Sequence, residues 1–393
     1  MKVLSVNAGS SSLKFQMYEM PEEKELIYGY FERIGLENSF YQLKINGKKS
    51  KKEADLKNHS DAVKFLIEEL FENNIVKDLE EIKGIGHRVV HGGDKYSTPT
   101  IINEEVIKTI EELSDLAPLH NPANLVGIKS FMEYVPNAVQ VAVFDTAFHQ
   151  TIKPEKYLYA VPKEWYTEYG VRKYGFHGMS HNYIYDRILE ITKKETMNII
   201  VCHLGSGASL SAIKDGKSVD TTMGFTPNAG LIMGTRSGDI DYTMIPFVMR
   251  KTGKTVEEID DILNKQSGMQ ALTTVGSDFR DIEEKVMEND EVNVRAYNMY
   301  LDRVVSYIAR YYFELEKVDA ICLTAGVGEN SPYTRENLIK RLSVLGIKLN
   351  EEVNNEIMFG KEGMISTEDS KIPCYVIPTD EEVMMARGTY SFL

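Results

Sequence analysis

The chain has 393 residues, 45 Lys and Arg against 59 Asp and Glu, and a formal net charge of −14. Such a length suits two domains, and 42% hydrophobic residues can fill two cores. The acidic balance argues against a nucleic-acid partner, which would need clustered Lys and Arg, and the absence of an 18-residue apolar run argues against a membrane-spanning helix.

The opening segment predicts a strand, KVLSV, a polar turn, NAGSSS, and a second strand, LKFQMYEM, so that the start reads as folded structure and not as a secretory leader. An amphipathic helix follows, capped by Ser60 and carrying Val63, Leu66, Ile67 and Leu70 at helical spacing. A strand near GIGHRVVH, a helix around residues 103–113 and the apolar strand AVQVAVFDTAF complete the first half. The second half repeats the opening pattern: MNIIV, the turn CHLGSGAS, then LSAIKDGK. Aligning Gly9 with Gly205 sets Asn7 opposite His203 and Ser10 opposite Ser206, as expected of a duplicated domain. Further on, a long helix presents Val304, Val305, Ile308, Tyr312 and Leu315 and leads into the strand DAICLTA and the turn GVGEN. Ser331 and Pro332 open the next helix, and Glu381 and Glu382 stand at the start of the last one. Strands alternating with helices define an α/β protein, and no low-complexity linker parts the halves. We therefore expect two domains, 1–150 completed by residues 380–393, and 151–379, facing one cleft.

Glycine-rich turns after strands can present backbone N–H groups to anions, and NAGSSS, HLGSGAS and AGVGEN are three of them. The chain has neither a P-loop GxxxxGK[ST] nor a dinucleotide-type GxGxxG after its first strand. Cationic residues cluster beside apolar segments: His87, Arg88 and His91 in HRVVHGG, His120 in APLHNP, His177 and His181 in YGFHGMSH, Arg236 in MGTRSGDID. Glycines beside Arg88, His177 and Arg236 would let a ligand approach closely. His177 and His181 have a spacing that could hold a metal on one helix face, but no third ligand shows zinc spacing. Asp145 ends an apolar strand, where α/β folds expose catalytic groups. Cys202, Cys322 and Cys374 form no CxxC pair and read as buried thiols of a reducing, cytoplasmic compartment.

Together, VNAGSSSLK, GHRVVHGG, LAPLHNP, FDTAFH, YGFHG.SH, HLG.G, MGTRSGDID and GVGEN resemble the acetate kinase family in order and across nearly the whole chain. The resemblance implies the duplicated two-domain fold of the acetate and sugar kinase, Hsc70 and actin superfamily, a homodimer, and ATP as co-substrate. It also implies Mg²⁺, for which Mn²⁺ could substitute. The implied reaction is reversible, direct in-line transfer of the ATP γ-phosphoryl group to acetate, giving acetyl phosphate and ADP. By position, Asn7 and Glu381 match the metal ligands and Lys14 an ATP contact. Asp145, His177 and Arg236 match catalytic residues, Arg88 the carboxylate binder and His120 a supporting substrate contact. Val90, Leu119, Phe176 and Pro227 match the pocket for the acetate methyl. His203, Leu204, Gly205, Ser206 and Gly207 resemble a phosphate loop; Asp278, Phe279 and Arg280, with Gly326, Val327, Gly328, Glu329 and Asn330, match the other nucleotide contacts of a nucleotide-binding second domain. Three positions depart from the family pattern: Ser206 for Asn, Met179 for Thr, and TPNAGL for TPLEGL. Two other expectations compete: a kinase for propionate or butyrate, and a nucleotide-driven binding protein of the actin or Hsc70 type. The latter has no use for an arginine that grips a small carboxylate.

Overall fold

The computed structural model describes every residue of the chain except Leu119, and its chain divides into two compact units, Met1–Phe148 with Asp380–Leu393, and His149–Thr379. Leu119, expected in the methyl pocket, lies outside the described residues.

The first unit is built on an eight-stranded sheet. Its strands are β1 (Lys2–Ala8), β2 (Ser12–Glu19), β3 (Lys24–Glu32), β4 (Phe40–Ile45), β5 (Lys48–Glu53), β6 (Ile82–Val89), β7 (Thr100–Ile101) and β8 (Val139–Phe144), in the order β5-β4-β3-β2-β1-β6-β8-β7. β1 and β2 form the expected hairpin, with Val6 opposite Phe15 and Asn7 opposite Lys14, and β1, β6 and β8 run parallel. Leu4, Val6, Leu13, Phe15 and Met17 are buried in one core with Val63, Leu66 and Leu70 of helix His59–Glu72. That helix is capped two residues earlier than the sequence suggests: Asn58, not Ser60, accepts the Asp61 amide.

The final helix, Glu381–Tyr390, packs against β1 and β6 within this unit. Glycine makes that approach possible. A Cβ on Gly86 would lie 2.4 Å from Thr389 Oγ1 and 2.9 Å from the Met385 carbonyl, and one on Gly84 would lie 2.6 Å from Thr389. Ser5 Oγ then donates to the Glu382 carbonyl at 2.6 Å, and Asp380 caps the helix through the Val383 amide at 2.9 Å. The acidic start of the helix is thereby fixed beside β1.

In the second unit the sheet has six strands: β9 (Asn198–Leu204), β10 (Ala208–Lys214), β11 (Lys217–Thr221), β12 (Ala320–Thr324), β13 (Gly363–Met364) and β14 (Cys374–Val376). Their order, β11-β10-β9-β12-β14-β13, repeats β3-β2-β1-β6-β8-β7 strand for strand, including the short antiparallel strand at the end. Duplication, inferred from one hairpin, thus extends through the whole sheet. Helix Glu291–Leu315 contributes Val304, Ile308, Tyr311 and Leu315 to the buried seam; Tyr311 takes the place expected for Tyr312, because residues 304, 308, 311 and 315 hold one helical face. The segment AGVGEN is a short helix, Ala325–Asn330, where the sequence reads as a turn.

Buried imidazoles make the fold sensitive to acid. His87 donates from Nε2 to Gln140 Oε1 at 2.7 Å, and burial holds its pKa down at about 4. Burial does the same to His149, also at about 4. Between pH 6.5 and pH 4 the unfolded chain binds protons that these folded imidazoles refuse, so stability is complete above that window and falls as pH drops through it. Urea unfolding at pH 7 and pH 5 should show the loss, and a His87→Gln variant should show a smaller one, by about 2 kcal/mol. Equal slopes in the two proteins would contradict this account.

Candidate active site

In the first unit, the expected residues Asn7, Lys14, Arg88, Val90 and His120 line one cavity of about 680 Å³, together with Asn124 and others. Asn7 and Lys14 are opposite one another in the β1–β2 ladder, so both side chains leave the same face. Arg88 stands near the end of β6 and Asp145 just beyond β8, two parallel neighbours. Their side chains meet: Arg88 Nη2 donates to Asp145 Oδ2 at 2.6 Å, and Nε reaches Oδ1 and Oδ2 at 3.0 and 3.1 Å. Burial alone would lower the Arg88 pKa, but Asp145, with Glu381 and Glu382 farther off, raises it above the usual arginine value. Asp145 therefore orients a cation. With the Nε–Nη2 edge committed to Asp145, a bidentate grip on a ligand carboxylate has to use the other edge, Nη1 with the second Nη2 proton.

Burial, aided by Asp145 and Glu382 and opposed by Arg88 and Lys14, pushes the Glu381 pKa up to about 7. Lys14 itself pairs with Glu382 Oε1 at 2.5 Å. Excess buried carboxylate of this kind is what a divalent cation offsets. Among the described residues no three His, Cys, Asp or Glu side chains converge on one point. One carboxylate and one amide oxygen, from Glu381 and Asn7, instead fit a cation that keeps several waters and shares phosphate oxygens, as Mg²⁺ does. Other cavity residues went unread in the sequence, Asn124 and Tyr28 among them. Asn124 donates to the Ala8 carbonyl at 2.8 Å and accepts the Val90 amide at 3.2 Å, tying the first turn to Val90, and Tyr28 gives the cavity an aromatic wall.

The second unit collects the expected nucleotide residues. The Gly205–Gly207 loop touches two other turns: a Cβ on Gly205 would be 3.4 Å from Ala325 Cβ and 3.9 Å from the Gly326 amide, and the Gly234 amide donates to Ser206 O at 2.9 Å. Gly207 faces His177 Nε2 and Arg236 Nη1, each 3.5 Å from where its Cβ would stand. Any side chain at 207 would fill the space between ring and guanidinium. His177 occupies a left-handed backbone position, φ +56°, at the entry to helix Gly178–Thr192. The segment before it is tied down: Lys173 Nζ reaches Asp220 at 2.5 Å, and His149 donates from Nε2 to the Phe176 carbonyl at 2.9 Å. His203 stacks on His177 with centroids 4.1 Å apart, and its Nδ1 faces Ser180 Oγ at 2.8 Å.

Not every expected contact keeps its polar atoms for a ligand. Glu329 Oε1 accepts the Ala325 amide at 2.7 Å and the Thr379 amide at 3.2 Å, and Asn330 bonds Gly326 O and the Phe359 amide. Gly328 packs 3.4 Å, by its would-be Cβ, from Leu323, and Arg335, unread in the sequence, caps the Gly328 and Glu329 carbonyls from a fully buried position. Leu204 is core, leaving only its backbone to a ligand. Gly326 stays exposed and Val327 half-buried in that short helix. Asp278 caps helix Phe279–Met287 and pairs with exposed Arg280 at 2.6 Å, while Phe279 packs on Tyr300, 4.7 Å between centroids. Phe176 is buried; Pro227 offers its carbonyl to Arg236 Nη1 at 3.3 Å. Asn228, one of the departures, turns toward Leu263 O and Ser237 Oγ, each at 3.3 Å.

A model of the acetokinase family matches residues 2–387. The chain belongs to that family. It is 52% identical to an acetate kinase of Bacillus cytotoxicus over 388 residues, 98% of this chain and 97% of that one. Among solved structures it is similar to Porphyromonas gingivalis acetate kinase (TM-score 0.93, 42% identity, 99% of each chain). A propionate kinase of Francisella tularensis is as close in shape (TM-score 0.94, 38% identity, 99% of each chain). The chain is thus an enzyme of the carboxyl-group phosphotransferase class, with the duplicated fold of its family.

Proposed function

We propose that this chain transfers the γ-phosphoryl group of ATP to acetate, reversibly and in line, giving acetyl phosphate and ADP. The observation that carries the reading is Arg88, locked by Asp145 at one edge and placed beside Val90 in a cavity: a fixed cation next to a small apolar wall suits a short carboxylate. Acetate is ionised at neutral pH and needs no base. Arg88 would orient it so that one carboxylate oxygen attacks the γ-phosphorus, the new O–P bond forming as the bond to the ADP oxygen breaks. Arg236 and a proton-bearing His177 Nε2 would stabilise charge on the equatorial oxygens, and the N–H groups around Gly205–Gly207 and Gly326 would hold the phosphates. Asn7 and Glu381 would hold Mg²⁺, which when bound neutralises phosphate charge; Lys14 adds a cation on the same face. Three buried, free cysteines support a reducing, cytoplasmic setting. Exposed Tyr242, Met244 and Phe247, at 78%, 45% and 54%, offer an apolar face for a second copy. Sedimentation should therefore show two chains per particle, with a monomer counting against that pairing.

A hydroxamate assay with ATP and acetate should show acyl phosphate formation that EDTA abolishes and added Mg²⁺ restores. Nucleotide hydrolysis indifferent to acetate would favour a nucleotide-driven binding protein instead. Arg88→Ala should raise KM for acetate and lower kcat. Arg236→Ala should act mainly on kcat, by about 10²–10³; near-normal turnover in a folded Arg236→Ala protein would sink its role.

Substrate size gives a separate check. One methylene in an apolar pocket is worth about 1–3 kcal/mol, so acetate should lead propionate clearly. Val90→Ala should raise propionate kcat/KM relative to acetate with ATP kinetics little changed. An unchanged ratio would mean that Val90 does not meet the substrate.

A further inference from the structure

Ser209 lies across the β9–β10 ladder from His203, fully buried, with its hydroxyl 2.9 Å from His177 Nδ1 and 2.8 Å from His181 Nε2. We infer that His181, acting through Ser209, holds His177 in the neutral tautomer whose proton sits on Nε2. The consequence for catalysis rests on the role proposed for His177; the tautomer rests on the hydrogen bonds alone.

A hydroxyl carries one proton, so when it donates to one ring it can only accept from the other. His181 decides the direction. Its ring is fully buried, and its Nδ1 has no hydrogen-bond partner among the described residues. Burial, and after it His149 and His203, push its pKa well down, so it carries a single N–H. Placed on Nδ1, that proton would be a buried donor with nothing to bond; buried N–H groups left unpaired are rarer than unpaired acceptors. Placed on Nε2, it has Ser209 Oγ at 2.8 Å. The Ser209 proton then turns to His177 Nδ1, and the His177 proton is left on Nε2, the nitrogen that faces Gly207 beside Arg236. His177 thus presents a donor to an anionic oxygen at that spot, where the other tautomer would present a lone pair and repel it.

His181 and Ser209 are positioning residues in this scheme. Long-range ¹H–¹⁵N correlation of histidine-labelled wild-type protein should show His177 protonated at Nε2 and bare at Nδ1. A spectrum with the proton on Nδ1, or on both nitrogens, overturns the inference whatever the activity. Failure to form acyl phosphate with the Nε2–H spectrum intact would strike the proposed function and leave the tautomer standing. Ser209→Ala should let both tautomers populate and lower kcat about tenfold or more, with both KM values within about twofold; Ser209→Thr, which keeps the hydroxyl, should restore the Nε2–H signal. Retention of the pure Nε2–H signal in folded Ser209→Ala would also overturn it.

Discussion

A guanidinium drawn in among strands has to find partners for its charge and its N–H groups, and Asp145 supplies both to Arg88 in the first unit. Each residue sits at the end of a parallel strand, so the distance between them is set by sheet spacing and not by flexible loops. Placing the pair there has a further effect. Asp145 also faces Glu381, and with Glu382 nearby the local charge is acidic in excess even after Arg88 and Lys14 are counted. The cavity thus combines a rigid cation with a surplus of carboxylate, which suits a site meant to receive an anion and a divalent cation together.

The second unit handles charge differently. Its candidate site is built from neutral imidazoles, small turns and one arginine, with serines between the rings. His149 and His181 are kept neutral by burial and spend their hydrogen bonds on a carbonyl and on serine hydroxyls. Neutral rings cost less to bury than charged ones, and a ring whose partner nitrogen is fixed presents one defined atom to a ligand. The same sheet order therefore supports an ion-paired site in one copy and a hydrogen-bonded one in the other.

Much of this was legible from the chain. Hydrophobic alternation located the hairpins and main strands because each has one buried face, and helical spacing located the helices that cover them. Catalytic candidates were legible because their types are unusual among glycines. Caps were less so: Asn58 and Ser60 are equally good residues on composition, and only the backbone shows which accepts the Asp61 amide. AGVGEN reads as a turn by its glycines, yet Glu329 closes it into a helix by capping Ala325, while Arg335 holds its far end.

By itself, the sequence determined the duplicated α/β plan, the family, and which residues are candidates for the chemistry, since those depend on periodicity and on residue type. Tertiary structure alone decided which edge of Arg88 is spoken for, that Glu329 and Asn330 serve the fold, and that Ser209 stands between His177 and His181. Most of those outcomes turn on hydrogen-bond geometry between residues far apart in the chain. A pattern along the chain records which groups can bond, but only the packed backbone sets which of them come within 3 Å.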